Sequence, residues 1–254
     1  MPKITDPIGV FDSGVGGISV LRELVQRMPE ERYIYFGDSA NAPYGTRTLE
    51  DVAALAIGVA DRFAARNVKA LVVACNTATA AALEKIKTQY PELLVIGVEP
   101  CVGVAAARHP EGRIGVLATP ATIRERKFMY QMEPYPQATV DLIPAPYLME
   151  FVDAGKFDAP ETDEYLKKLL GEYIGKLDAL VLGCTHYPFV KKALRRVLGS
   201  GTELFDGSSL TAEETVAALT AAGLRNDKGP GSVQIENSLQ DGAILELSAA
   251  LLQE

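Results

Sequence analysis

ALVVACNT at residues 70–77 and ALVLGCT at residues 179–185 are two matching segments, each an apolar run typical of a buried strand that leads into a cysteine. A second pair of segments repeats in the same order, since IGVFDS at 8–13 returns as IGVLAT at 114–119. The offsets are 109 residues (179 − 70) and 106 residues (114 − 8). Two matches in the same order at nearly the same offset indicate one unit that was duplicated with small insertions or deletions.

Strand-like and helix-like segments alternate around these landmarks. In the first half, strands are predicted at 8–12, 33–38, 70–74 and 94–98, and helices at 17–28, 49–66 and 78–87. Such alternation predicts an α/β fold with two pseudo-symmetric lobes, each a mostly parallel sheet flanked by helices. Ligands of such sheets bind beyond the carboxyl ends of the strands, so the active site is expected in the cleft between the lobes. The first lobe is predicted to span 1–98 and 208–254, and the second to span 99–207. The helix-like segments at 210–222 and 241–252 are consistent with a C-terminal tail that returns to the first lobe.

Composition and charge narrow the range of partners. The 254 residues are 48% hydrophobic and 7% aromatic, a profile that suits buried parallel strands. The net charge of −8 disfavours nucleic acid and anionic membranes, and two basic clusters at 124–127 and 191–196 are interpreted as solvated helix faces. No apolar run approaches the roughly 20 residues of a membrane span, and the N-terminus has no signal-peptide pattern. We therefore expect a cytoplasmic protein with a small-molecule substrate.

The cysteines suggest chemistry rather than cross-linking. An odd number of cysteines argues against a disulfide scaffold, and their spacing, with only His109 and His186 as histidines, fits no zinc pattern. Cys101 has no equivalent in the second half and is interpreted as structural. Cys75 and Cys184 each precede a predicted helix start, where N–H dipoles favour a thiolate. Two such thiols on opposite faces of a bound carbon can remove a proton from one side and return one to the other, which inverts a stereocentre.

A glycine-rich segment follows the first strand. Asp12 and Ser13 end that strand, and Gly14, Gly16 and Gly17 allow a ligand to approach the backbone beside a helix start. Two alternatives stay open: Asp12 and Ser13 are ordinary turn and cap residues, or they bind a ligand, with Asp12 meeting an ammonium group. The glycines lack the third spacing of a dinucleotide fingerprint, so a nicotinamide cofactor is not favoured.

Polar residues also follow the two cysteines directly. Asn76, Thr77 and Thr185 are either helix caps or groups that hold a carboxylate. His186 is either structural, or it tunes the thiol of Cys184 and assists proton transfer to an amino group.

Four motifs resemble the aspartate/glutamate racemase family, and within it the glutamate racemases: IGVFDSGVGG at 8–17, PYG at 43–45, ACNTAT at 74–79 and GCTHYP at 183–188. From local sequence alone, 43–45 would be a simple tight turn. The resemblance covers nearly the whole chain, and aspartate racemases do not follow the second cysteine with Thr-His-Tyr-Pro. It implies interconversion of L- and D-glutamate, which supplies D-glutamate for peptidoglycan, without pyridoxal phosphate, metal or any other cofactor.

The resemblance also implies the site residues. It makes Cys75 and Cys184 the catalytic acid/base pair, with Cys75 deprotonating the D-enantiomer and Cys184 the L-enantiomer. The implied substrate contacts are Asp12, Ser13, Tyr44, Gly45, Asn76, Thr77, Thr185 and His186, with Thr119, the repeat equivalent of Ser13, as a further candidate. The family carries a glutamate near 149–155, where this chain has Asp153 with Glu150 nearby, so the identity of a supporting carboxylate stays open. Because the first strand begins at residue 8, no N-terminal extension of the kind that some relatives use to bind an activator is expected.

Three other functions compete with this interpretation. The first is a racemase for another acidic amino acid such as aspartate, and the second is a non-catalytic amino acid-binding protein with inert thiols. The third is a hydrolase that uses Cys184 and His186, which is disfavoured because residues two apart on one turn do not easily form an oriented pair and no orienting partner is evident. The oligomeric state stays open, a homodimer being one option.

Overall fold

A computed structural model describes residues 2–98, 100–125 and 127–254. The strands are β1 (Ile8–Asp12), β2 (Arg32–Gly37), β3 (Ala70–Val73), β4 (Leu94–Gly97), β5 (Arg113–Ala118), β6 (Thr139–Pro144), β7 (Ala179–Gly183), β8 (Glu203–Asp206) and β9 (Ser232–Asn237). The α-helices are α1 (Ile18–Arg27), α2 (Leu49–Ala65), α3 (Asn76–Gln89), α4 (Val102–Arg108), α5 (Pro120–Glu125), α6 (Leu148–Asp153), α7 (Pro160–Leu170), α8 (Lys191–Leu198), α9 (Gly207–Ala221) and α10 (Gly242–Gln253).

The chain divides into two compact units, Met1–Val98 with Ser208–Glu254, and Glu99–Gly207. The first unit has a five-stranded sheet in the order β4-β3-β1-β2-β9, and the second a four-stranded sheet in the order β6-β5-β7-β8. All paired strands are parallel. The predicted α/β class, with parallel sheets flanked by helices, is confirmed. An active site in a cleft between the lobes stays a prediction.

The two sheets share one strand order. Read from the other edge, the second sheet runs β8-β7-β5-β6, which corresponds to β4-β3-β1-β2. The two repeated sequence segments therefore fall on equivalent strands, β1 with β5 and β3 with β7. Because parallel strands end at the same edge of a sheet, the residues that follow these strands lie along one edge of each unit.

Apolar sequence explains why these strands lie inside. All residues of β1, β3 and β7 are buried, as expected for strands covered by helices on both faces. Helix α2 begins at the N-cap Thr48, whose side chain accepts a hydrogen bond from the Asp51 N–H at 3.1 Å. Its apolar face, including Val59 and Phe63, packs in the core with Phe11 of β1. Burial of this face holds α2 against the sheet.

Several boundaries differ from the sequence prediction. Helix α3 begins at Asn76 rather than residue 78, and strand β9, at the edge of the first sheet, was not predicted at all. In the basic cluster at 191–196, Arg196 pairs with Asp163 at 2.8 Å and Asp158 at 2.6 Å. Arg126 of the cluster at 124–127 lies outside the described residues. Within the described ranges, no helix combines the length and the apolar character needed to cross a membrane.

Candidate active site

Cys75 lies at the carboxyl end of β3, an interior strand of the first sheet. It is the N-cap residue of α3, and its sulfur accepts a hydrogen bond from the backbone N–H of Ala78 at 3.5 Å. The Cys75 thiol also lies 3.6 Å from Ser13 Oγ, which follows β1. Only 5% of Cys75 is exposed. Because a helix N-terminus carries partial positive charge, this position favours negative charge on the sulfur.

Asp12 ends β1 beside the glycine-rich turn. Its side chain is fully buried, and its Oδ2 accepts a hydrogen bond from the Gly14 N–H at 3.0 Å. Residue 17 has to be glycine for Asp12 to fit, since a Cβ on Gly17 would lie only 2.5 Å from the Asp12 Cβ. The turn therefore holds a buried carboxylate next in sequence to Ser13, which contacts Cys75.

Tyr44 and Gly45 are buried in a short 3-10 turn in the loop after β2. The Tyr44 hydroxyl donates to Asp38 Oδ2 at 2.7 Å, and Asn41 Nδ2 donates to both oxygens of that carboxylate at 3.1 Å. Burial and the hydrogen bond to Asp38 raise the pKa of Tyr44 well above its ordinary value of 10, so the phenol stays protonated. Sequence reasoning missed Asp38 and Asn41, which together fix the position of Tyr44.

Asn76 and Thr77 form the first turn of α3, whose cap is Cys75 itself. Asn76 Oδ1 is buried and has no hydrogen-bond partner within the described part of the chain. Buried acceptors in folded proteins are almost always paired, so this oxygen is suited to receive an N–H from a ligand. Thr77 is buried in the same turn.

Cys184 lies at the carboxyl end of β7, an interior strand of the second sheet. Its sulfur is 3.7 Å from His186 Nδ1, and His186 Nε2 is 3.1 Å from Asp153 Oδ1. Cys184 and His186 are buried, whereas 43% of the Asp153 side chain is exposed. The three side chains form a continuous series of thiol, imidazole and carboxylate.

Two opposing effects set the charge of His186. Burial lowers the pKa of the imidazole, but the Asp153 carboxylate, its hydrogen bond and the neighbouring Cys184 together raise it well above the ordinary value of 6.5. These contacts therefore favour the imidazolium form of His186, which has an N–H for each of its two partners.

The surroundings of Cys184 differ from those of Cys75. A 3-10 turn at Tyr187–Val190 follows Cys184, and the α-helix starts only at Lys191. Cys184 therefore precedes a helical segment, but unlike Cys75 it is not the N-cap of an α-helix. The expectation that Cys184 and His186 lack an orienting partner is wrong, because Asp153 bonds to the imidazole from 33 residues away in sequence. Glu150, the other carboxylate considered for this role, is exposed on α6.

The remaining sequence candidates have local roles in the structure. Thr119 Oγ1 accepts the Thr122 N–H at 3.3 Å, so it caps the start of α5. Thr185, which lies between Cys184 and His186 in sequence, is buried. Burial raises the pKa of the Cys101 thiol to about 12, which keeps it protonated at neutral pH and fits a structural role.

Each unit thus carries a buried thiol at the carboxyl edge of a parallel sheet, at a helix N-terminus for Cys75 and beside His186 for Cys184. A thiol of this kind can exchange a proton with a bound carbon acid. Among residues 2–98, 100–125 and 127–254, no group of three or more His, Cys, Asp or Glu side chains is arranged to hold a metal ion. The fold and the site define a class of α/β protein with two similar units and a cysteine after an interior strand of each.

Comparison with known proteins identifies the family within this class. A family model described as Asp/Glu/Hydantoin racemase matches residues 8–215. The glutamate racemase of Clostridium botulinum is 41% identical over 100% of this chain and 99% of its own length. The crystal structure of glutamate racemase from Francisella tularensis in complex with D-glutamate has a TM-score of 0.84 and 28% identity, covering 99% of this chain and 95% of that one. A glutamate racemase isoform from Bacillus anthracis has a TM-score of 0.88 and 29% identity, covering 98% and 94%.

The chain belongs to the Asp/Glu/hydantoin racemase family. It is a racemase, and racemases are isomerases. The predicted family and class of enzyme are confirmed.

Proposed function

We propose that this racemase interconverts L- and D-glutamate, with Cys75 and Cys184 as its two acid/base groups. The observation that carries the proposal is the equivalence of the two thiols, each buried after the corresponding interior strand of its unit. We propose glutamate rather than aspartate as the substrate because the curated relative that is 41% identical over the whole chain is a glutamate racemase.

The reaction needs one thiolate and one thiol at the start of each turnover. In the L-to-D direction, the Cys184 thiolate takes the α-proton of L-glutamate, and the Cys75 thiol gives its proton to the opposite face of the carbanion. The products are D-glutamate, a Cys184 thiol and a Cys75 thiolate. The reverse reaction starts from that state, so protons and charge balance over a cycle.

The groups that supply positive potential beside the two sulfur atoms differ. At Cys75, the N–H of Ala78 and the start of α3 supply positive potential, and neither of these titrates. At Cys184, the positive charge comes from His186, whose pKa the Asp153 carboxylate raises. His186 can also share its Nδ1 proton with the sulfur during turnover, since the two atoms are 3.7 Å apart.

Polar groups around Cys75 suit the ends of an amino acid. The buried oxygen of Asn76 and the carboxylate of Asp12 accept hydrogen bonds, which suits the ammonium group of glutamate. The hydroxyls of Ser13 and Thr77 are donors suited to a carboxylate, as is Thr185 in the second unit. Tyr44 and Gly45 complete this set of proposed substrate contacts.

The proposal includes a route without a cofactor and a cellular role. Neither pyridoxal phosphate nor a metal takes part, because the two thiols supply both proton transfers. The product D-glutamate would enter peptidoglycan synthesis, in the cytoplasm. No oligomeric partner is required by this mechanism.

Proton exchange in deuterium oxide tests the proposal. When L-glutamate is incubated with the purified protein, its α-proton signal in the NMR spectrum and its optical rotation should be lost together. Cys75→Ala and Cys184→Ala should each abolish racemisation, whereas Cys101→Ala, the matched control, should retain it because that thiol stays protonated. Racemisation near the wild-type rate in either of the first two variants would contradict the two-thiol mechanism.

Single-thiol variants resolve which thiol serves which face. With a glutamate analogue that carries a leaving group on the β-carbon, Cys75→Ser should eliminate from the L-form and Cys184→Ser from the D-form. Both variants must bind ligand and keep the wild-type thermal unfolding temperature. Exchange with aspartate but not glutamate would make the protein an aspartate racemase, and binding without any exchange would make it an amino acid-binding protein.

A further inference from the structure

The loop between β2 and α2 carries Tyr44. Strand β9, at the edge of the first sheet, lies next to β2, the strand from which this loop leaves. β9 pairs in parallel with β2 through the end of both strands, so that Asn237 lies opposite Gly37. The loop begins at the next residue, Asp38, whose backbone N–H bonds to the Asp12 carbonyl at 2.9 Å. The end of β9 and the start of the loop are therefore neighbours, although about 200 residues separate them in sequence.

Two side chains from the end of β9 hold the first turn of this loop. Asn237 Nδ2 donates to Ser39 Oγ at 2.8 Å, and the backbone N–H of Ala40 donates to Ser238 Oγ at 2.8 Å. Asn237 is 7% exposed, and its Oδ1 accepts the Leu239 N–H at 3.0 Å, so both ends of its amide are used.

Residue 37, which lies opposite Asn237, is closely packed on two sides. A Cβ on Gly37 would lie 2.9 Å from Asn237 Nδ2 and 2.3 Å from the carbonyl oxygen of Gly14. The end of β2 is therefore enclosed between the glycine-rich turn that follows β1 and the amide of Asn237. The Asn237 side chain and the turn that follows Asp12 and Ser13 therefore both pack against Gly37.

The turn that β9 holds is the one that orients Tyr44. Asp38 accepts the Tyr44 hydroxyl at 2.7 Å and the Asn41 amide at 3.1 Å, and the Ala42 N–H bonds back to the Ser39 carbonyl at 3.2 Å. A shift of residues 39–41 would therefore move Asn41 and, through its hydrogen bonds, the Asp38 carboxylate that accepts the Tyr44 hydroxyl.

We infer that Asn237 and Ser238 are positioning residues, which set the geometry of the proposed substrate loop 38–45 from the C-terminal edge strand. The inference rests on the proposed function, in which Tyr44 and Gly45 contact glutamate. Asn237 and Ser238 touch no reacting atom. They act by keeping Ser39 and Ala40, and through them Asp38 and Tyr44, in the binding arrangement before substrate arrives.

The test uses Ser238→Ala, which removes the acceptor for the Ala40 N–H and little else. A net hydrogen bond contributes about 0.5–1.5 kcal/mol, so we expect KM for both glutamate enantiomers to rise by about 2- to 10-fold with kcat within about twofold of wild type. Ser238→Thr retains the hydroxyl and should restore KM. Ser232→Ala makes the same change at the other end of β9, where the side chain is exposed, and should leave KM unchanged.

Hydrogen exchange separates this inference from the proposed function. In Ser238→Ala, amide exchange should accelerate in residues 38–46 and not in α2 or β3, whatever substrate the protein uses. Asn237→Ala should accelerate amide exchange in the same segment further. If that variant has a lowered thermal unfolding temperature, the result for Ser238→Ala decides the test. Unchanged loop exchange and unchanged KM in Ser238→Ala would overturn the inference. Wild-type protein that fails to racemise glutamate, with faster loop exchange in the variant, would overturn only the proposed function.

Discussion

Replacing Asp153 with asparagine should weaken the positive charge on His186, beside Cys184, without removing the hydrogen bond that holds the imidazole. Asparagine keeps an acceptor oxygen for His186 Nε2, so the variant deletes mainly charge. Unit charges 3.1 Å apart attract by about 5 kcal/mol at an effective dielectric constant of 20 and by about 1.3 kcal/mol in bulk water. Because 43% of the Asp153 side chain is exposed, solvent screens the pair strongly, and we expect a loss of about 1–2 kcal/mol. That loss corresponds to a reduction in kcat/KM of about 5- to 30-fold at neutral pH.

The pH dependence of kcat/KM gives the sign of the effect. Asp153 raises the pKa of His186, so its loss lowers that pKa. The imidazolium would then lose its proton at lower pH in the variant than in wild type. If the charged form of His186 supports catalysis, the basic limb of the pH profile should move to lower pH in Asp153→Asn.

Thermodynamics constrains how the two directions respond. L- and D-glutamate have equal free energies, so kcat/KM must stay equal for both enantiomers in every variant. The asymmetry between the thiols can therefore appear only in kcat and KM taken separately. Polarimetry from each pure enantiomer measures both quantities and provides an internal check on the data.

Glu150→Gln is the matched control for this experiment. It makes the same carboxylate-to-amide change on the same helix, α6, at an exposed position. It should leave kinetics and pH profile unchanged, while Asp153→Glu, which keeps the charge, should retain more activity than Asp153→Asn. If Asp153→Asn and Glu150→Gln behave alike, the carboxylate beside His186 has no role in turnover and the reasoning fails.

Two further predictions concern stability and cofactors. Lys69 and Glu31 form a buried ion pair, with Nζ and Oε2 2.6 Å apart and both side chains at most 1% exposed. Lys69→Met should lower the free energy of unfolding by about 3–5 kcal/mol in urea titrations because it strands a buried carboxylate, and adding Glu31→Gln should recover part of that loss. Dialysis against a chelator and treatment with a carbonyl reagent should leave racemisation intact. Activity that is lost and then restored by a metal ion or pyridoxal phosphate would show that the cofactor-independent route is wrong.

The parts of the fold that sequence predicted well are those in which a local pattern matches the final environment. Strands β3 and β7 are short, entirely apolar and covered on both sides, so their sequence is sufficient to identify them. Strand β9 was missed because SVQIEN lies at a sheet edge, where alternate residues are exposed and its short pattern resembles a polar loop. Pairing with β2, far away in sequence, is what makes it a strand.

The candidate site divides in the same way. Cys75 and Asn76 could be selected because they directly follow a recognisable strand. Asp38 could not, since an aspartate after a strand is an ordinary turn residue until the loop folds back and brings the Tyr44 hydroxyl to it. The pairing of Asp153 with His186 spans 33 residues and depends on how α6 packs, which no local pattern reports.

The strand order that the two sheets share explains why the two thiols occupy equivalent places, but it does not make them chemically equal. The sulfur of Cys75 is approached by the Ala78 N–H and Ser13, which keep their charge state over the physiological pH range. The sulfur of Cys184 is approached by His186, whose charge depends on pH and on Asp153. Proton transfer at the face served by Cys184 should therefore be the step that responds to pH. With the β-substituted glutamate analogue, elimination by Cys75→Ser should show a steeper pH dependence between neutral and alkaline pH than elimination by Cys184→Ser. Equal pH profiles for the two single-thiol proteins would mean that His186 does not govern its neighbouring thiol, and that the difference between the two halves is confined to structure.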